Sequence, residues 1–143
     1  MDTMTSFEGD TGPYLQYSHA RLCSIFRKAN IPTSEIESAD LRLLTEPHAI
    51  NIVRLIAQFP DTIQAALRTH EPTTVLTYLF HLTHVVNSSY GVLKVVGSEK
   101  ELMKARLALY DATKSVISNG MRLLGLTPVD RYVPNLPRMG HLT

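Results

Sequence analysis

Between residues 103 and 124 the apolar side chains of Met103, Leu107, Tyr110, Ile117, Met121 and Leu124 return to one side of a 3.6-residue turn, holding that side for about six turns. A strand would send such residues alternately to two faces. This spacing therefore predicts one long helix with a buried stripe. Gly125-Leu126 after it reads as a left-handed cap with its hydrophobic contact, and Pro128 blocks any continuation. Ser98 with Glu101 three residues on, just after Gly97, reads as a capping box at its start.

The same period recurs upstream. Helix one is expected from about Gly12 to about Ala29, with Glu8 to Gly12 as a turn-rich lead-in and Pro13 in the first turn. Asn30-Ile31-Pro32 ends it, because the residue before a proline is pushed out of helical geometry. Leu15, Leu22 and Phe26 form its apolar stripe, with His19 between them, while Tyr17, Arg21, Ser24 and Lys28 form an aromatic and basic one. A second helix follows Glu46-Pro47, carrying Ile52, Leu55, Ile56 and Phe59. A third starts near Asp61 with Ile63, Ala66 and Leu67, and a fourth at Pro72 with Val75, Leu79, Leu82 and Val86. The fourth is expected to persist to about Val95, weakened locally at Gly91. Val92 to Val96 is the one β-branched run and is too isolated to build a sheet. The fold class expected is all-α, a bundle of four to five helices in one domain. Residues 1–12 form a lead-in, 13–128 the helical body and 129–143 an irregular tail.

Composition narrows the classes of function. The net charge is +1, so the whole molecule carries no electrostatic commitment to nucleic acid, but its halves differ. Residues 94–143 hold eight Lys/Arg against four Asp/Glu, and residues 1–93 hold six against nine. A basic face can arise from that asymmetry. One cysteine, Cys23, rules out an internal disulfide and a cysteine zinc cluster, and fits a reducing compartment. No apolar run reaches the length of a membrane span and no secretory signal is expected at the start.

No catalytic constellation emerges. His81 and His84, at i and i+3, have no third ligand at a neighbouring turn, whereas zinc takes at least three, so no metal site is expected. Cys23 falls beside the apolar side of helix one and reads as a packed thiol. No phosphate-cradling loop is present. What remains is surface chemistry: Tyr17 with Arg21, Tyr90 with Lys94 at i and i+4, and a tail patch of Arg131, Tyr132, Arg138 and His141. An aromatic that stacks on a base beside a cation that holds phosphate is the pairing that single-stranded RNA recognition uses. Solvated charge and core-rim tyrosines are the plainer alternative.

Three strings are long and unusual: FEGDTGPYLQY followed by HARL (7–22), EPTTVLTYLFHLTH (71–84) and ARLALYDATKSVISNGMRLLGLTP (105–128). Together they resemble the C-terminal part of arginyl-tRNA synthetases, above all the eukaryotic and fungal forms, over most of the chain. The resemblance implies an α-helical anticodon-binding bundle that holds the anticodon stem and loop of tRNA(Arg), with residues 1–12 as a remnant of the junction to the catalytic core. It also implies a cytoplasmic setting and no role for DNA or membrane. Tyr17 and Tyr90 match tyrosines that contact the loop in that family, Arg21 matches a basic position beside them, and the chain's end near Tyr132 lies close to the same loop. Lys94 stands where similar sequences carry tryptophan, and Val133 to Thr143 extend past the usual end.

The nucleotide-binding half of the family, with its HIGH and KMSKS-type signatures, is not matched by these residues. The resemblance therefore assigns arginine–tRNA ligase activity and ATP use to the full-length family. For these residues alone it implies no cofactor, and activity only beside a catalytic synthetase chain. The alternative function is a helical protein-interaction module that has lost tRNA binding, for which Lys94 and the added tail are the motive.

Overall fold

The computed structural model describes the backbone of residues 2–131 and the side chains of residues 12–131. Among them are α1 (Asp2–Ala29), α2 (Thr33–Glu37), a 3-10 turn at Leu41–Leu43, α3 (Pro47–Ala57), α4 (Phe59–Thr69), α5 (Thr73–Ser89) and α6 (Lys100–Leu123). No strand occurs among the described residues. The five longer helices are the expected bundle, and α2 adds a single turn of five residues.

α6 is the axis of the bundle, packing on α1, α2, α3 and α5, while α5 also meets α1, α3 and α4. The stripe foreseen on α6 is the one buried: Leu107, Tyr110, Ile117 and Met121 are fully enclosed, with Met103 and Leu124 packed at the edge. Leu15 and Leu22 of α1, Ile52 of α3, and Leu79, Leu82 and Val86 of α5 complete the centre. Polar groups are tied in with them. Asn87 donates to the Tyr14 hydroxyl at 2.9 Å, and the Tyr14 ring stacks on Phe80. The Tyr78 hydroxyl donates to the Leu55 carbonyl at the end of α3.

The helix ends explain themselves residue by residue. Gly125 has φ of +80°, its amide bonds the Arg122 carbonyl at 3.0 Å, and Leu126 bonds the Met121 carbonyl at 2.9 Å. That is the paired Schellman arrangement, with Leu126 supplying the apolar contact. Asn30, at φ of +50°, takes the left-handed position that ends α1.

Four boundaries depart from expectation, the first at Phe59, which opens α4 instead of closing α3. α1 begins at Asp2 rather than near Gly12, and runs through Pro13, which costs an interior helix one backbone hydrogen bond. α5 stops at Ser89 instead of reaching Val95. The amides of Val92 and Leu93 both fold back onto the Ser89 carbonyl, at 3.0 and 2.7 Å. The chain beyond alternates, sending Leu93 and Val95 into the core and leaving Val92 and Val96 in solvent. Burying two apolar side chains from an extended segment outweighs a further turn of helix containing glycine. Finally, Ser98 caps nothing: the N-cap of α6 is Glu99, without a side-chain cap. The Ser98 hydroxyl is already engaged, donating to the Lys94 carbonyl at 2.8 Å and accepting from Arg106 at 3.1 Å.

Candidate functional site

α1 has one stripe in the core and two outside it. The first outer stripe, Tyr17, Arg21, Ser24 and Lys28, faces the segment that links α5 to α6. Arg21, Ser24, Ile25 and Lys28 form one wall of a cleft of about 280 Å³, and Tyr90, Leu93, Lys94, Val95 and Val96 form the other. On the far side of Arg21 lies a second hollow of about 440 Å³, lined by Tyr17, Ala20, Arg21, Ser24, Arg27 and Arg131. Arg21 and Ser24 line both, so the two are neighbouring hollows on one strip of surface, called the groove below. Five cations line it, namely Arg21, Arg27, Lys28, Lys94 and Arg131, and no carboxylate does among the described residues.

The aromatics hold two different positions. Tyr17 is exposed, at 47 % of its surface. Tyr90 is half-buried, and its hydroxyl is enclosed without a hydrogen-bond partner among the described residues. The Arg21 guanidinium lies 4.2 Å from the centre of the Tyr90 ring, and the Tyr110 ring lies 5.5 Å away at a 35° tilt. Burial pushes the Tyr90 phenol well above its ordinary value of 10, neighbouring Tyr110 adds to the rise, and Arg21 only partly opposes it. Tyr90 is therefore neutral near pH 7. Its ring is a face on which Arg21 rests by cation–π contact.

The opposite wall is fixed from below. Arg106, buried on α6, donates to the Lys94 carbonyl at 2.6 Å and to the Glu46 carboxylate at 2.7 Å. Its hydrogen bond draws the Glu46 carboxyl below the ordinary glutamate range, although partial burial works against it. Lys94 thus has a pinned backbone and an exposed ammonium. Tyr90 and Lys94 do meet in one cleft, but not as i and i+4 on a helix. The turn after Ser89 brings them there.

Cys23 is buried, with Sγ 3.8 Å from both His19 Nδ1 and Asp130 Oδ1. Burial is the main cause of its raised thiol pKa, which makes it a packed group and not a nucleophile. His19, Cys23 and Asp130 are the one set of three ligating side chains in mutual reach among the described residues. His19 Nδ1 donates to the Val129 carbonyl at 2.8 Å, so that nitrogen serves as a donor. His81 and His84 lie exposed on α5. Among the described residues no helix is long and apolar enough to cross a membrane. A row of cations beside an exposed tyrosine, with no acid–base pair or activated nucleophile, can bind a polyanion with stackable bases.

Of the residues singled out by sequence, Tyr17, Arg21, Tyr90 and Lys94 converge on this groove. Tyr132, Arg138 and His141 lie outside the described residues. Sequence reasoning missed Arg27, and it placed Arg131 in a separate tail patch. A second polar stripe on α1, at Gln16, His19, Cys23 and Arg27, was the available sign that something packs there.

Comparison with known proteins shows the family and the fold. The model of the DALR anticodon binding domain family matches residues 15–131. The chain is 59% identical over 131 residues to the cytoplasmic arginine–tRNA ligase of Saccharomyces cerevisiae, covering 91% of this chain and 22% of that protein. It is 56% identical over 128 residues to the probable cytoplasmic arginine–tRNA ligase of Schizosaccharomyces pombe, covering 90% of this chain and 21% of that one. The crystal structure of arginyl-tRNA synthetase from Plasmodium falciparum superposes with a TM-score of 0.74 at 33% identity, covering 92% of this chain and 23% of that one. The chain thus spans about a fifth of the length of these relatives.

Proposed function

Since the chain belongs to the DALR anticodon binding domain family, we propose that its groove holds the anticodon stem and loop of tRNA(Arg). The observation that supports this most directly is the lining of the groove: five cations and an exposed tyrosine, with no carboxylate among the described residues. Arg21, Arg27, Lys28, Lys94 and Arg131 take phosphates, and Tyr17 offers a face to an unpaired base. Tyr90 acts through Arg21, keeping one side of the guanidinium occupied so that the other meets RNA. A base stacked on an aromatic contributes ~1–3 kcal/mol, and phosphate contacts give the salt dependence.

Aminoacylation, with ATP and arginine, we assign to the four fifths of the relatives' length that this chain does not match. A catalytic synthetase chain is then its natural partner and the cytoplasm its setting, as the names of the two yeast relatives indicate for those proteins. The test is a titration of labelled tRNA(Arg) and of an unrelated tRNA with the 143-residue chain at several salt concentrations. Preferential binding is expected, with log K falling against log salt at a slope of about −3.5 if the five cations each neutralise one phosphate on a single-stranded loop. Equal binding of both tRNAs, or none, would overturn the reading.

A further inference from the structure

The second outer stripe of α1 meets the chain leaving α6. Past the Schellman turn, no main-chain to main-chain hydrogen bond among the described residues involves residues 127–131. Side chains of α1 take over that role. The Gln16 amide works like a neighbouring strand: Nε2 donates to the Thr127 carbonyl at 2.7 Å, and Oε1 accepts the Val129 amide proton at 2.9 Å. Pro128 between them has no amide proton to place. His19 Nδ1 donates to the Val129 carbonyl at 2.8 Å, and Arg27 Nη1 donates to the Asp130 carbonyl at 3.2 Å. The next residue is Arg131, which enters the hollow beside Tyr17, Arg21 and Arg27.

We propose that Gln16 is a positioning residue for RNA binding, fastening residues 127–130 to α1 so that Arg131 stands in the groove. The inference rests on the anticodon reading above and adds to it a residue that itself faces the exit segment and not the RNA. Its weight comes from geometry. Among the described residues Gln16 alone satisfies both a donor and an acceptor of that segment, and a single rotatable side chain meeting two main-chain groups fixes both distance and direction. Arg27 has a double duty, since its guanidinium both lines the hollow and holds the Asp130 carbonyl.

Gln16→Met keeps the length of the side chain and removes both polar ends. In the full chain it is expected to speed hydrogen exchange of the Val129 amide while the amides of α6 and the melting transition hold. Affinity for labelled tRNA(Arg) should fall roughly tenfold, the size of one lost charged contact. The salt slope should become shallower by about 0.7, the share of one phosphate on a single strand. Arg131→Ala should show the same fall and the same change of slope, and the double substitution should be no weaker than Arg131→Ala alone. Unchanged affinity and slope in Gln16→Met, or losses that add in the double variant, would overturn the inference and leave the anticodon reading standing. No RNA binding by the unsubstituted chain would overturn both.

Discussion

Tyr90 is bound to stability and site at once, and two substitutions separate these. Tyr90→Ala removes a ring that packs between Arg21 and Tyr110, so it is expected to cost about 2 kcal/mol, less than a fully enclosed aromatic because the residue is half-buried. Its effect on RNA would then be unreadable. Tyr90→Phe keeps the ring and removes an enclosed hydroxyl that has no partner among the described residues, which is expected to raise stability by up to about 1 kcal/mol. Tyr110 gives the contrast. Its hydroxyl lies 2.9 Å from the Ser89 oxygen and 3.4 Å from the Leu93 carbonyl, so its phenol has partners. If Tyr90→Phe melts earlier than the unsubstituted chain, the hydroxyl has a partner after all. Tyr17 is the cleaner probe of recognition, because it is exposed. Tyr17→Ala should leave the melting temperature in place while weakening tRNA binding by ~1–3 kcal/mol. A large loss of stability with unaltered binding would make it a packing residue.

Where α5 and α6 cross, Gly120 faces Leu79 at close range. A Cβ placed on Gly120 would stand 2.7 and 2.9 Å from the two methyls of Leu79 and 3.1 Å from its Cγ. Leu79 is itself fully enclosed, so the side chain has nowhere to swing. Gly120→Ala gains about 1 kcal/mol of helix propensity but meets an overpacking cost of about 1–3 kcal/mol, and a net loss near 1 kcal/mol is expected from denaturant unfolding. Leu79→Ala should cost ~2–5 kcal/mol on its own. In the double variant the new methyl enters the space that leucine left, so the combined loss should be smaller than the sum; simple additivity would refute the contact. The helices themselves are legible in sequence because their stripes recur at one period, and the end of α6 is legible because glycine and its apolar follower are local signals. The end of α5 is not. It depends on Leu93 and Val95 finding a core built by residues far away in sequence, and on Arg106 drawing in the Lys94 carbonyl from twelve residues on. Local propensity carries neither fact. For the same reason Ser98 looked like a cap: its spacing to Glu101 fits one, and only the folded chain shows its hydroxyl already taken.

Seen across the molecule, the groove has one wall that sequence reveals and one that it conceals. Tyr17, Arg21 and Lys28 share a helix face, so their alignment follows from spacing alone. Lys94 and Arg131 reach them through tertiary links, the Arg106 pin on one side and the Gln16 fastening on the other. The pin also joins three parts of the bundle, since Arg106 of α6 binds Glu46 ahead of α3 and Lys94 in the linking segment. This makes the fold's response to acid predictable. Glu46 has its carboxyl pKa lowered from an ordinary 4.5, chiefly by the Arg106 hydrogen bond. A group lowered in this way stabilises the folded state fully above its unfolded pKa, and the contribution fades as pH falls through the folded value. Glu46→Gln removes the titration but leaves Arg106 with a weaker neutral partner. The melting temperature of the unsubstituted chain should therefore exceed that of Glu46→Gln at pH 7. The gap should narrow once pH drops below about 4.5 and close as Glu46 becomes protonated in the fold. Because Arg106 then holds the Lys94 carbonyl with a weaker anchor behind it, Glu46→Gln should also weaken tRNA binding at pH 7, and it should do so by less than Lys94→Ala, which deletes the ammonium itself. A gap between the two proteins that stays constant from pH 7 to pH 3 would show that the ion pair does not hold this wall of the groove.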